Sequence, residues 1–123
     1  MKLHPDSARG QYSITACGDG HVEINGRRFT HSLVVGPRHL DENWPVAGFD
    51  ALDAASLKPL AAIPCDVVLL GTGRRQHFPA PALLQPFMAA RIGVEVMDTA
   101  AACRTYNILI GEGRAPLAAL IIE

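Results

Sequence analysis

Apolar residues in the second half of the chain come in compact runs. Val67-Val68-Leu69-Leu70 is continuous rather than alternating, as expected of a strand buried on both faces. Val94-Glu95-Val96-Met97 and residues 117–122 read as two further strands. Helical turns are predicted between the Val67–Leu70 and Val94–Met97 strands, over 81–91. Pro86 lies inside that stretch and is compatible either with a kink or with a helix that starts near Gln85. The clearest helix is capped by Asp98 or Thr99 and ends at Gly111. Its spacing puts Ala102, Tyr106, Leu109 and Ile110 on one face and points Arg104 and Asn107 away. Strands alternating with helices predict a parallel sheet, with the turns Gly71-Thr72-Gly73 and Met97-Asp98-Thr99 at one edge.

The first third alternates in period two. Tyr12 to Cys17 is a strand, Gly18-Asp19-Gly20 a turn, and Val22 and Ile24 mark a second short strand. Asn25-Gly26 is a strong hairpin signal because both residues tolerate positive φ. Residues 28–35 return as a longer third strand that Gly36-Pro37 ends, completing an antiparallel meander. Residues 38–50 read as a connector holding Trp44 and Phe49, with Pro45 and Gly48 breaking any helix. Asp53 is the expected N-cap of a short helix through Lys58, limited by Pro59 and Pro64. The fold class is α/β: a single compact domain over 1–123 with a mixed central β-sheet, flanking helices and an N-terminal antiparallel β-meander. Residues 1–11 are expected to form a loose arm.

Composition narrows the function classes. With 123 residues, 49% apolar and 19% charged, the chain suits one globular core. A net charge of −1 with both signs interspersed argues against nucleic-acid binding, which needs clustered cations. No apolar run approaches the roughly 20 residues of a membrane helix, so direct membrane insertion is not expected. Cys17, Cys65 and Cys103 form no Cys-x-x-Cys pair. They read as reduced thiols in a cytoplasmic setting.

Candidate chemistry concentrates at the Gly71/Asp98 edge. Open α/β sheets bind ligands beyond the carboxyl ends of their strands. Gly71, Thr72 and Gly73 allow close backbone approach, and consecutive N–H groups with Arg74 can hold a small anion. Asp98 and Thr99 line the same edge at a helix N-terminus, where Asp98 also serves simply as a cap. The blander reading of the glycines is a tight strand exit. Cys103 reads as core packing rather than a nucleophile, because no paired base is evident. The five histidines show no zinc spacing, and no Ser/His/Asp set is present. No catalytic residue, metal or cofactor is therefore expected. Trp44 and Phe49 suit either a partner-binding patch or a lid over the core.

Leu70-Gly71-Thr72-Gly73, Glu95-Val96-Met97-Asp98-Thr99, Ala102, Thr105-Tyr106-Asn107 and Glu112-Gly113-Arg114, in this order, resemble the Mth-type domain of unknown function. That family includes a mitochondrial respiratory complex I assembly factor, an adipogenesis-associated protein and many bacterial and archaeal members. The resemblance runs from about Tyr12 to Ile122. It implies a compact α/β domain and supplies no catalytic residues. Without an Arg-rich presequence the chain reads as a bacterial member. Two readings follow. One is a non-enzymatic interaction or assembly module with a protein partner, for a respiratory membrane complex. The other is a binder, or an enzyme, for a small anionic ligand at the Gly71-Thr72-Gly73 and Asp98-Thr99 edge. Oligomeric state stays open, because the last strand suits either the sheet centre or a dimer edge.

Overall fold

A computed structural model of the chain describes residues 10–123. The arm expected over 1–11 lies outside these apart from Gly10 and Gln11, and the Gln11 carbonyl accepts a bond from Asn25 Nδ2 at 3.1 Å. The chain begins with three short antiparallel strands, β1 (Ile14–Gly18), β2 (His21–Ile24) and β3 (Arg27–Phe29). Asn25 and Gly26 join β2 to β3 with φ of 49° and 85°, the pair of positive values that a type I′ hairpin requires.

The expected third strand over 28–35 is two strands in two different sheets. β3 stops at Phe29, and β4 (Leu33–Gly36) enters a second, five-stranded sheet. The break has a physical cause at Ser32. Its buried hydroxyl donates to Val46 O at 2.5 Å and accepts from Ile122 N at 2.9 Å, which turns the chain away from the meander. The connector read over 38–50 also contains an unpredicted strand, β5 (His39–Asp41), antiparallel to β4.

The second sheet is completed by β6 (Val67–Gly71), β7 (Gly93–Met97) and β8 (Pro116–Leu120), in the order β5-β4-β8-β6-β7. β6 runs parallel to both β7 and β8, while β4 is antiparallel to β8, so the sheet is mixed as expected. The last strand lies at the sheet centre, and all five of its residues are buried, as are all five of β6. A strand covered on both faces has no use for polar alternation, which explains the continuous apolar runs.

The two faces carry separate cores. On one face Val67, Leu69, Ala118 and Leu120 pack with Val22, Ile24 and Phe29 of the meander and with Ala102, Cys103 and Tyr106 of the helix α3 (Thr99–Gly111). On the other, Val68, Leu70, Leu117 and Ala119 meet Trp44, Val46, Leu57 and Phe87. Leu57 lies in α1 (Ala54–Leu57), where Asp53 and Ser56 close a capping box: Ser56 N donates to Asp53 Oδ1 at 2.8 Å and Asp53 N to Ser56 Oγ at 3.1 Å. Phe87 lies in α2 (Gln85–Ala89), which starts at Gln85 with Pro86 in its first turn, where the missing N–H costs no bond.

Asn107 does not simply point away from α3. Its side chain clamps β1, accepting from Ile14 N at 3.0 Å and donating through Nδ2 to Ile14 O at 2.6 Å. The preceding residue, Tyr106, donates through its hydroxyl to Tyr12 O at 2.8 Å. These bonds hold the meander against the helix. Asn107→Ala strips both partners from Ile14, so unfolding stability should fall by about 1–3 kcal/mol. Urea titration should show a lower midpoint with an unchanged slope.

Candidate functional site

Parallel pairing of β6, β7 and β8 brings their carboxyl ends to one edge. The helices that follow β6 and β7 pack in opposite cores, so their connecting loops diverge and leave a crevice between them. Here the crevice is closed by bonds within the chain. Thr72 N donates to Met97 O, Thr99 N to Gly73 O and Ile121 N to Gly71 O, each at 2.9 Å. The Thr99 hydroxyl accepts from Gly73 N at 2.9 Å and donates to Ile121 O at 2.7 Å, linking all three exits through one oxygen.

The glycines serve this closure. A Cβ on Gly71 would lie 3.0 Å from Thr99 Cα, and Gly73 takes φ +101°, a backbone that only glycine adopts easily. The buried Thr72 hydroxyl accepts from His77 N at 3.1 Å. Its proton goes to Arg75 O at 2.6 Å, shorter than its 3.2 Å approach to Met97 O. The loop after Gly73 thus coils back on Thr72. Asp98 is the N-cap of α3 and accepts from Ala101 N at 2.8 Å.

A cavity of about 210 Å³ remains beside this knot, between Gly18–His21, the first turn of α3 and residues 121–123. Of the six ligand candidates, Gly73, Arg74, Asp98 and Thr99 line it, while Gly71 and Thr72 are buried behind it. Three carboxylates also line it, those of Asp19, Asp98 and Glu123, against Arg74 and His21. Glu123 Oε1 accepts from Arg74 N at 3.1 Å, so one carboxylate of the chain already sits where a small anion would. The sequence offered no signal for that contact, because Glu123 lies far along the chain from Arg74.

The two aromatic candidates separate. Trp44 is 5% exposed and donates through Nε1 to Ser56 O at 2.9 Å. The Trp44 ring packs with Leu57 and Phe87 in the core on one face of the sheet. Phe49 is half-buried and stacks on His77, with ring centroids 4.8 Å apart. Among the described residues, the large apolar side chains that face water are Phe78, Met88 and Ile108. Arg114 lies 3.9 Å from Asp66, which also accepts from Ala115 N. Cys103 is a core residue at 3% exposure, and burial followed by Cys17 pushes its thiol up from the ordinary range. Among the described residues no three His, Cys, Asp or Glu side chains converge as metal ligands, and no helix is long and apolar enough to cross a membrane.

A model of a family described as a protein of unknown function (DUF498/DUF598) matches residues 14–121. A human protein named NADH dehydrogenase (ubiquinone) 1 alpha subcomplex assembly factor 3 is 37% identical over 121 residues, which is 97% of this chain and 65% of that protein. The crystal structure of a protein from Bordetella parapertussis superposes with a TM-score of 0.85 at 42% identity, over 92% of this chain and 97% of that one. A solution structure from Bordetella pertussis, described as a Mth938-like domain, gives a TM-score of 0.81 at 37% identity, over 99% and 92% of the two chains.

Thr99→Val keeps the volume of the side chain but removes the shared oxygen. It leaves Gly73 N and Ile121 O unpaired, so stability should drop by about 2–4 kcal/mol, at roughly 1–3 per orphaned group with partial relaxation. Thr99→Ser restores the hydroxyl and should recover most of the loss in the same denaturant titration. Gly71→Ala should cost about 1–3 kcal/mol through overpacking against Thr99.

Proposed function

The chain belongs to the DUF498/DUF598 family of proteins of unknown function, and from that premise we propose that it acts as a non-enzymatic assembly module. It binds a protein partner during the building of a respiratory membrane complex and works from the cytoplasm. The observation that carries this reading is the 37% identity to a human assembly factor over 97% of the chain. The chain spans 65% of that relative's length, so the relative's role is extended here to the part the two share.

Two features of the molecule support the reading. The strand-exit edge spends its hydroxyls and most of its N–H groups on itself, which leaves little for a substrate. Phe78, on the loop after β6, is 75% exposed and is the large apolar side chain we assign to contact with another protein. The alternative, a small anionic ligand at Gly71-Thr72-Gly73 and Asp98-Thr99, has less support. A ligand there would have to displace Glu123 from Arg74 N and face two further carboxylates.

The test is deletion of the gene in the source organism, followed by native electrophoresis of detergent-solubilised membranes stained for NADH dehydrogenase activity. Loss of the mature complex with accumulation of smaller assemblies, reversed by the wild-type gene, is expected. A mature complex at its normal level would overturn the proposal. Phe78→Asp should keep the fold within about 0.5 kcal/mol, as exposed sites do. If Phe78 contacts the partner, this folded variant fails to restore the complex.

A further inference from the structure

β1 runs antiparallel to α3 in a register set by successive contacts. Tyr106 bonds Tyr12, Asn107 bonds Ile14, and at the far end Gly18–Gly20 face Thr99 and Ala100 across the 210 Å³ cavity. Between these points the same register brings together Cys17 of β1 and Cys103 of α3, which line one cleft with Ala16, Ala100 and Arg104. Cys17 is near enough to help push the Cys103 thiol up from its ordinary range. Cys17 is exposed and Cys103 is buried.

We infer that Cys17 and Cys103 form a redox modification site, an exposed attacking thiol backed by a buried resolving one, that closes to a disulfide in the presence of a low-molecular-weight disulfide such as oxidised glutathione. Thiolates, not thiols, attack disulfides, and access decides which thiol goes first. The Cys17 thiolate attacks one glutathione sulfur. Its S–S bond breaks, one glutathione leaves as a thiol, and the other stays joined to Cys17. Cys103 then gives up its proton and its sulfur attacks Cys17 Sγ. The mixed disulfide breaks and the second glutathione leaves, taking up a proton. Two protein thiols are oxidised and one glutathione disulfide is reduced to two thiols. Burial holds Cys103 protonated, which suits a resolving thiol that acts only once its neighbour carries the mixed disulfide. The product ties the meander to the first turns of α3 at the wall of the cavity. Cys65 is only partly buried and lies outside this cleft, so it takes no part.

The test treats the purified full chain with oxidised glutathione, quenches with acid, alkylates under denaturing conditions and maps the peptides by mass spectrometry. Alkylatable thiols should fall from three to one, the survivor being Cys65, with the Cys17 and Cys103 peptides linked. The Cys103→Ser variant should stop with glutathione on Cys17. The inference is overturned if wild type holds glutathione on Cys17 while Cys103 is still alkylated, if Cys65 is the linked residue, or if all three thiols survive. The wild-type map decides the matter even if the serine variant folds poorly.

Discussion

The Thr99 hydroxyl is shared between Gly73 N and Ile121 O, and the rest of the edge is arranged around it. A buried polar group without partners is costly, and a hydroxyl that both accepts and donates removes two such debts with one atom. It also fixes where β6, β7 and β8 end relative to one another. Gly71 must lack a Cβ because Thr99 stands 3.0 Å from where one would be, and Gly73 must accept a left-handed turn to present its N–H. The same motif that reads as an anion cradle ties the strand junction together.

The lock shapes what the molecule can do. In many open sheets the crevice beyond the strand ends is where ligands enter, because diverging loops leave backbone N–H groups free. Here those groups are bonded to Thr99, Met97 and Glu123. Both sheet faces are also covered, one by α3 with the meander and the other by Trp44, α1 and α2. What is left for recognition is the 210 Å³ cavity beside the junction and the outer surface. That is consistent with the partner-binding role proposed above and with the relatives named as assembly factors.

Legibility followed burial and local chemistry. The buried runs of β6 and β8, the Asn25-Gly26 turn and the Asp98 cap all announce themselves through residues adjacent in sequence. The split between β3 and β4 does not, because its cause is Ser32 reaching Val46 and Ile122, contacts that exist only once the sheet has formed. Pro86 is ambiguous by itself and is resolved by where the first turn of α2 begins. Trp44 looks like a surface anchor because its segment is rich in turn residues, yet the indole finds Ser56 O and the apolar face of α1. At the candidate site the sequence locates the edge and four cavity-lining residues. It is silent on Glu123 and on the meeting of Cys17 with Cys103, since both depend on the way distant segments pack.

Native-state hydrogen exchange tests the central claim, that the strand exits form a closed junction rather than an open ligand cradle. The amides of Gly73, Thr99 and Ile121 should exchange only through global unfolding, at the rate of the most protected β8 amides. The Arg74 amide, bonded to the exposed Glu123 side chain, should exchange faster. If Gly73 and Ile121 exchange through a local opening well below the global free energy, the junction is a gate and the account is contradicted.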